Sequence, residues 1–112
     1  MTSGLVLAID QGTTNTKALA FDEIGRVVAS ASTPMSVAYP RPGWAEQSAL
    51  DIWTSVQRVL ADVVRQVGIE IDALAISNQR ETIVVWDAAT SQPIAPFWCS
   101  RTAYSVCIDA PL

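Results

Sequence analysis

A run of apolar residues, Leu5-Val6-Leu7-Ala8-Ile9, ends abruptly in Asp10-Gln11-Gly12-Thr13-Thr14-Asn15-Thr16-Lys17. The apolar run reads as a buried strand. A second β-like run, Ala18-Leu19-Ala20-Phe21, follows the polar stretch. The stretch is therefore a glycine-containing turn between two strands, with a carboxylate at the end of the first. A simple hairpin closes with two turn residues. This turn is longer and richer in hydrogen-bonding groups than closure needs. Gly12 permits φ > 0 and close approach of a ligand to the backbone. Successive backbone N–H groups in such a turn can form an anion-binding nest. Thr13, Thr14 and Asn15 add side-chain donors, and Lys17 adds a positive charge. A bare carboxylate at Asp10 would repel a bound anion, and a Mg²⁺ held directly or through water resolves that conflict. The physical reading is a phosphate loop with a metal-side carboxylate. Its plainer alternative is a decorated hairpin turn.

Composition narrows the function classes. The chain has 112 residues, enough for one small domain with a core. Half of them are hydrophobic and only 16% are charged, an apolar balance that fits a surface made to meet another domain. Lys and Arg number 7 against 11 Asp and Glu, for a net charge of −4. With no basic cluster, a nucleic-acid partner is not expected. No apolar run reaches transmembrane length, and no basic n-region marks a signal peptide, so a cytoplasmic location is expected. Cys99 and Cys107, without histidine or metal-type spacing, read as reduced cytosolic thiols.

In chain order, strands are expected over residues 5–9 and 17–22, a turn at 22–26, and a third strand from Val27 to Thr33. Short connections make these an antiparallel meander. Residues 34–43 hold three prolines and a Pro-Gly pair, and read as a loop. Ser48-Ala49-Leu50-Asp51 is a capping-box pattern that opens a helix. Ile52, Val56, Val59, Leu60, Val63 and Val67 give that helix one apolar face, and Gly68 stops it, so it spans about residues 49–67. Ile71 to Ser77 is the next strand, parallel to the first. Thr82 to Trp86 and residues 93–98 read as two further short strands. Trp44, Trp53 and Trp86 read as packing residues. The class is α/β with a mixed sheet: a three-strand antiparallel meander, then a helix and a parallel strand. Ligands gather outside the carboxyl ends of strands in such sheets. Residues 10–17 and the polar segment Asn78-Gln79-Arg80-Glu81 thus converge on one cleft if their strands are parallel neighbours.

The segment Ala8 to Lys17 resembles the first phosphate motif of the FGGY carbohydrate kinases, an actin-like ATPase (ribonuclease H-like) fold. Pro42-Gly43-Trp44-Ala45-Glu46-Gln47, followed by Ile52-Trp53, is similar to the family's lead-in to its first helix. Ala75 to Thr82, followed by Val85-Trp86-Asp87, resembles the glycerol kinase branch. The segment Phe97 to Ala103 looks like a shortened and altered form of a further family motif, and Tyr104 to Leu112 carries none. Family members are several times longer, with a second actin-like domain that supplies the catalytic aspartate and most of the nucleotide pocket. The resemblance thus implies that residues 1–112 are an incomplete N-terminal actin-like domain, a fragment with no catalytic base of its own.

The resemblance further implies ATP and Mg²⁺ as cofactors and a small polyol or sugar as substrate. It places Thr13, Thr14 and Asn15 around the terminal phosphates, with Gly12 in the same turn, and Asp10 near the metal. Lys17 would stabilise phosphate charge; the alternative is a solvated strand-end lysine. Arg80 has a fork of donors suited to two neighbouring hydroxyls, and Glu81 is the matching acceptor. Their alternative is an exposed loop pair. Trp98 offers an apolar wall to the carbon chain, or else packs in a core. The expected partners are this substrate, the missing C-terminal domain and, in the parent, further copies of the chain. The rival readings are a non-catalytic relic or interaction module, and a chaperone-type actin-like ATPase.

Overall fold

The computed structural model describes residues 4–68, 70–79 and 82–98. Their elements are β1 (Val6–Gln11), β2 (Asn15–Phe21), β3 (Val27–Pro34), β4 (Glu46–Gln47), α1 (Ala49–Val67), β5 (Ala73–Ser77) and β6 (Phe97–Trp98). The main sheet has the order β3-β2-β1-β5. β1 runs antiparallel to β2, and β2 to β3, while β5 lies parallel to β1 with Ile9 opposite Ile76 and Asp10 opposite Ser77. The expected meander, helix and parallel strand are all present in that order.

The helix follows from its ends. Ser48 caps it in an extended conformation, and its hydroxyl accepts the Asp51 N–H at 3.3 Å. Gly68 closes it in the left-handed region at φ 61°, with its N–H on the Val64 carbonyl. Val59 and Val63 are fully buried against Leu7, Ala18, Ala20 and Ala29. Burying each of those valines stabilises the fold by about 1.5–3 kcal/mol. The alanines of β2 and β3 let the helix sit close over that half of the sheet.

Along β1 burial alternates: Leu7, Ile9 and Gln11 face the helix while Val6 and Asp10 are exposed. β5 is exposed along its whole length, because α1 packs chiefly over β2 and β3, with a smaller contact to β1. The apolar face of α1 therefore leaves the β5 end of the sheet open.

Other boundaries differ in instructive ways. β1 continues to Gln11 and β2 begins at Asn15, so the turn is only Gly12-Thr13-Thr14. β5 starts at Ala73 rather than Ile71. Thr82 to Trp86 is not a strand; Trp86 alone bridges to Pro93, around a turn in which Asp87 accepts the Ala89 and Thr90 N–H groups. That segment is apolar but finds no partner strand among the described residues, and a strand exists only in a ladder. Of residues 93–98, only Phe97 and Trp98 form a strand, paired with β4, which the sequence did not signal. Trp53 and Trp86 are exposed rather than packed, and Trp44 is half-buried with the Arg41 guanidinium 5.0 Å from its ring. The loop before β4 folds back on itself: the Trp44 N–H reaches the Arg41 carbonyl around Pro42 and Gly43, with Gly43 at φ 80°. Proline followed by a glycine of positive φ is the pattern of a type II turn.

Candidate functional site

The site forms where β1 and β5 end side by side. Antiparallel pairing places Asp10 opposite Lys17, and both are exposed on the sheet face away from α1. The row continues to Ser32 on β3 and Ser77 on β5. Among the described residues the ion pairs are Arg26–Asp22 and Arg65–Asp62, so Asp10 and Lys17 share a face without bonding each other. Asp10 is one carboxylate beside a turn, and no group of three potential metal ligands occurs among the described residues. Mg²⁺ commonly takes one or two carboxylates and completes its shell with waters and phosphate oxygens, so this donor set fits such an ion.

Gly12 sits in the turn for a reason other than the expected one. Its φ is not positive; instead a Cβ there would lie 3.1 Å from the Asn15 carbonyl. The Gly12 N–H donates to that same carbonyl at 2.9 Å, so it is occupied within the turn. The nest donors are thus reduced to the Thr13 and Thr14 amides and the side chains of Thr13, Thr14 and Asn15. Thr13 is half-buried, and Thr14 and Asn15 are exposed at the tip. The Thr14 carbonyl accepts the Met35 N–H at 2.8 Å, which ties the tip to the exit of β3.

Beneath the turn lie three glutamines that sequence reasoning did not single out. Gln11 is buried and donates to the Gly12 carbonyl at 2.8 Å. Gln47, almost fully buried, donates to the Thr13 carbonyl at 2.7 Å. Gln79 donates to Gln47 Oε1 at 2.8 Å, and more weakly to Gln11 Oε1 and the Gly12 carbonyl, each at 3.3 Å. These residues come from the end of β1, from β4 and from the chain after β5. The available signal was that each stands inside one of the motif segments. Their amides were overshadowed by charged neighbours.

The convergence of residues 10–17 with the segment after β5 is therefore met at Gln79. Arg80 and Glu81 lie outside the described residues, as do Cys99 and the chain beyond it. The backbone of Trp98 pairs with Glu46, beside the Gln47 that holds the turn.

Residues 5–109 match the family model described as "FGGY family of carbohydrate kinases, N-terminal domain". The chain is 45% identical to a glycerol kinase of Oceanobacillus iheyensis and 46% identical to one of Stenotrophomonas maltophilia; in each comparison it is covered over 96% of its own length and 22% of the relative's. It thus spans about a fifth of the length of these curated relatives. Among solved structures it superposes on glycerol kinase from Plasmodium falciparum, determined with ADP, at a TM-score of 0.86, with 26% identity over 91% of this chain and 21% of that one. It also superposes on xylulose kinase from Rhodospirillum rubrum at 0.83, with 27% identity over 88% of this chain and 20% of that one. The sheet order, the turn and the sequence match agree, and the chain belongs to the FGGY family of carbohydrate kinases, of which it carries N-terminal domain sequence.

Proposed function

We propose that the chain is the N-terminal part of an ATP-dependent polyol kinase, with glycerol as the leading substrate. The observation that carries this reading is the meeting of the turn 12–14 with the segment leading into Arg80 at the ends of two parallel strands. The 45% identity to glycerol kinases supports the choice of substrate. Phosphoryl transfer is mainly positioning and electrostatic stabilisation. Thr13, Thr14 and Asn15 hold the terminal phosphates from the turn, and Lys17 offsets their charge. Asp10 would hold Mg²⁺, which would supply charge neutralisation on the phosphate oxygens. Arg80 and Glu81 grip neighbouring hydroxyls, and Trp98 flanks the carbon chain. The substrate's primary hydroxyl oxygen bonds to the γ-phosphorus as the bond to the β-phosphate oxygen breaks, and ADP leaves. The hydroxyl proton passes to a base from the remainder of a family-length protein. We place the enzyme in the cytoplasm and assembled from several copies; no described helix is long and apolar enough to cross a membrane.

A second reading, a non-catalytic interaction module, is favoured by the exposed apolar strand β5. A chimera separates the two: residues 1–109 of this chain replace the matching segment of the Stenotrophomonas maltophilia glycerol kinase. Glycerol-dependent ADP release by the chimera supports the kinase reading. A chimera that folds like its host, by circular dichroism, and turns over no polyol overturns it.

A further inference from the structure

The orientation of each amide in the glutamine cluster is fixed by chemistry. Gln47 faces two carbonyls, Thr13 O at 2.7 Å and Ser36 O at 3.4 Å, so the end it presents there is its NH₂. Its Oε1 must then face Gln79, and Gln79 must present its own NH₂. The Gln79 Oε1 in turn accepts the Thr82 hydroxyl at 3.4 Å. Polarity therefore runs one way, from Thr82 through Gln79 and Gln47 to the Thr13 carbonyl. A second branch from Gln79 reaches the Gly12 carbonyl directly. Pulling the carbonyls of Gly12 and Thr13 inward turns the following N–H groups outward, toward the tip of the turn. Gln79 is also the residue immediately before Arg80 in the chain.

We propose that Gln79 is a positioning residue that couples the two halves of the site: relayed through Gln47, its amide holds the phosphate turn in register with the polyol segment beginning at Arg80. This rests on the kinase reading. A carboxylate at position 79 has no hydrogen to give. It would draw the Gln47 NH₂ toward itself and away from the Thr13 carbonyl. A methionine of similar length removes the donor without adding charge, so it separates loss of the relay from electrostatic repulsion of phosphate.

Two measurements test the coupling. The first is hydrogen exchange by mass spectrometry on the whole 112-residue chain below micromolar concentration. In Gln79→Met and Gln79→Glu, the Gly12 and Met35 amides, bonded to the Asn15 and Thr14 carbonyls of the turn, exchange at least tenfold faster, while those around Val59 and Val63 in α1 stay within twofold. Unchanged exchange in the turn overturns the proposal. So does a uniform acceleration that includes α1, which would make Gln79 a general stability residue. The second measurement is kinetics in the chimera. Both variants raise KM for ATP and KM for glycerol by at least fivefold each. A change confined to glycerol overturns the coupling. If the unsubstituted chimera phosphorylates no glycerol, the kinase reading fails, and the exchange experiment still decides whether Gln79 holds the turn.

Discussion

Thr16 Oγ1 lies 2.7 Å from Ser55 Oγ in a fully buried contact between β2 and α1. Ser55 gives its only hydroxyl hydrogen to the Ile52 carbonyl at 2.7 Å, so Thr16 is the donor in the pair. The contact pins the helix to the strand that follows the turn 12–14. It sits one residue before Lys17 and one after Asn15.

The two hydroxyls are not equivalent, and substitution distinguishes them. Ser55→Ala leaves the Thr16 hydroxyl buried without an acceptor, at a cost of about 1–3 kcal/mol. Thr16→Val leaves Ser55 still bonded to Ile52, at a cost of about 0.5–1.5 kcal/mol. The double variant should lose less than the sum, because both changes remove one bond. Urea denaturation of the four proteins measures this. Strict additivity would show that the hydroxyls do not interact in solution.

Much of this was legible in the sequence, for reasons that can be named. Ser48, Asp51 and Gly68 mark both ends of α1, because caps satisfy backbone groups locally. Polar turns between apolar runs gave the strand order, and a strand entered from a helix gave the parallel pairing of β1 and β5. What was not legible depends on distant partners. The strand reading of Thr82 to Trp86 failed because apolar periodicity cannot supply the neighbour that a strand requires. β4 is two residues long, and only its pairing with Phe97 and Trp98 identifies it. The glutamines escaped notice because an amide carries no charge and no fixed spacing. Their role exists only where the three elements meet. At Gly12 the residue type was read correctly and its reason was not: crowding by the Asn15 carbonyl replaces a positive φ.

The turn after β2 should depend on pH. Asp22 accepts the Arg26 N–H at 2.9 Å and the Ile24 N–H at 3.1 Å, and its other oxygen meets the Arg26 guanidinium. These bonds, chiefly that from the Arg26 backbone, hold its carboxyl below the usual value of 3.8. A group whose folded pKa is depressed stabilises above its unfolded pKa, and that contribution fades as pH falls through the folded value. Asp22→Asn removes the charge at every pH. The wild type should therefore exceed the variant in stability at pH 6, with the gap closing as pH falls through the lowered folded pKa. A gap that stays constant between those limits would exclude the carboxylate as its source. Asp87, held low by the Thr90 and Ala89 N–H groups, should behave in the same way.

Gly68→Ala tests the helix stop. At φ 61° a Cβ has no clash with neighbours but meets its own backbone, which costs about 1–2 kcal/mol. A loss of this size in urea denaturation is expected. No loss would mean that the last turn of α1 ends differently in solution.

The 112-residue chain alone should show no polyol-dependent, Mg²⁺-dependent release of ADP from ATP. Phosphoryl transfer to a hydroxyl needs a base for its proton. On the proposed kinase reading Asp10 serves the metal and Glu81 the substrate. A coupled assay giving steady turnover with pure chain would show that the base lies within it. In the chimera, Arg80→Ala should raise KM for glycerol and lower kcat/KM, by an amount equivalent to about 1–3 kcal/mol, while ATP affinity holds. Unchanged glycerol kinetics would remove Arg80 from the substrate site.

The last expectation concerns β5. Leu74 and Ile76 stand in register with Leu7 and Ile9, on the same sheet face. Leu7 and Ile9 are each 3% exposed, whereas Leu74 is 54% and Ile76 67% exposed. The difference arises because α1 covers β1 to β3 and leaves β5 open, with a cavity of about 320 Å³ between Ile52, Val56 and Ile76. Trp53 and Val85 add further exposed apolar surface. β5 is also an edge strand among the described residues, so its outer N–H and C=O groups offer a template for pairing. An apolar patch of this kind on a monomer marks an interface, and an open edge beside it invites association. At micromolar concentration the isolated chain should therefore sediment as a species larger than the monomer and should brighten ANS. Ile76→Lys, on an exposed position of an edge strand, should shift the chain toward monomer and dim the dye. A wild-type chain that remains monomeric and leaves ANS dark would show that the open face is covered in solution.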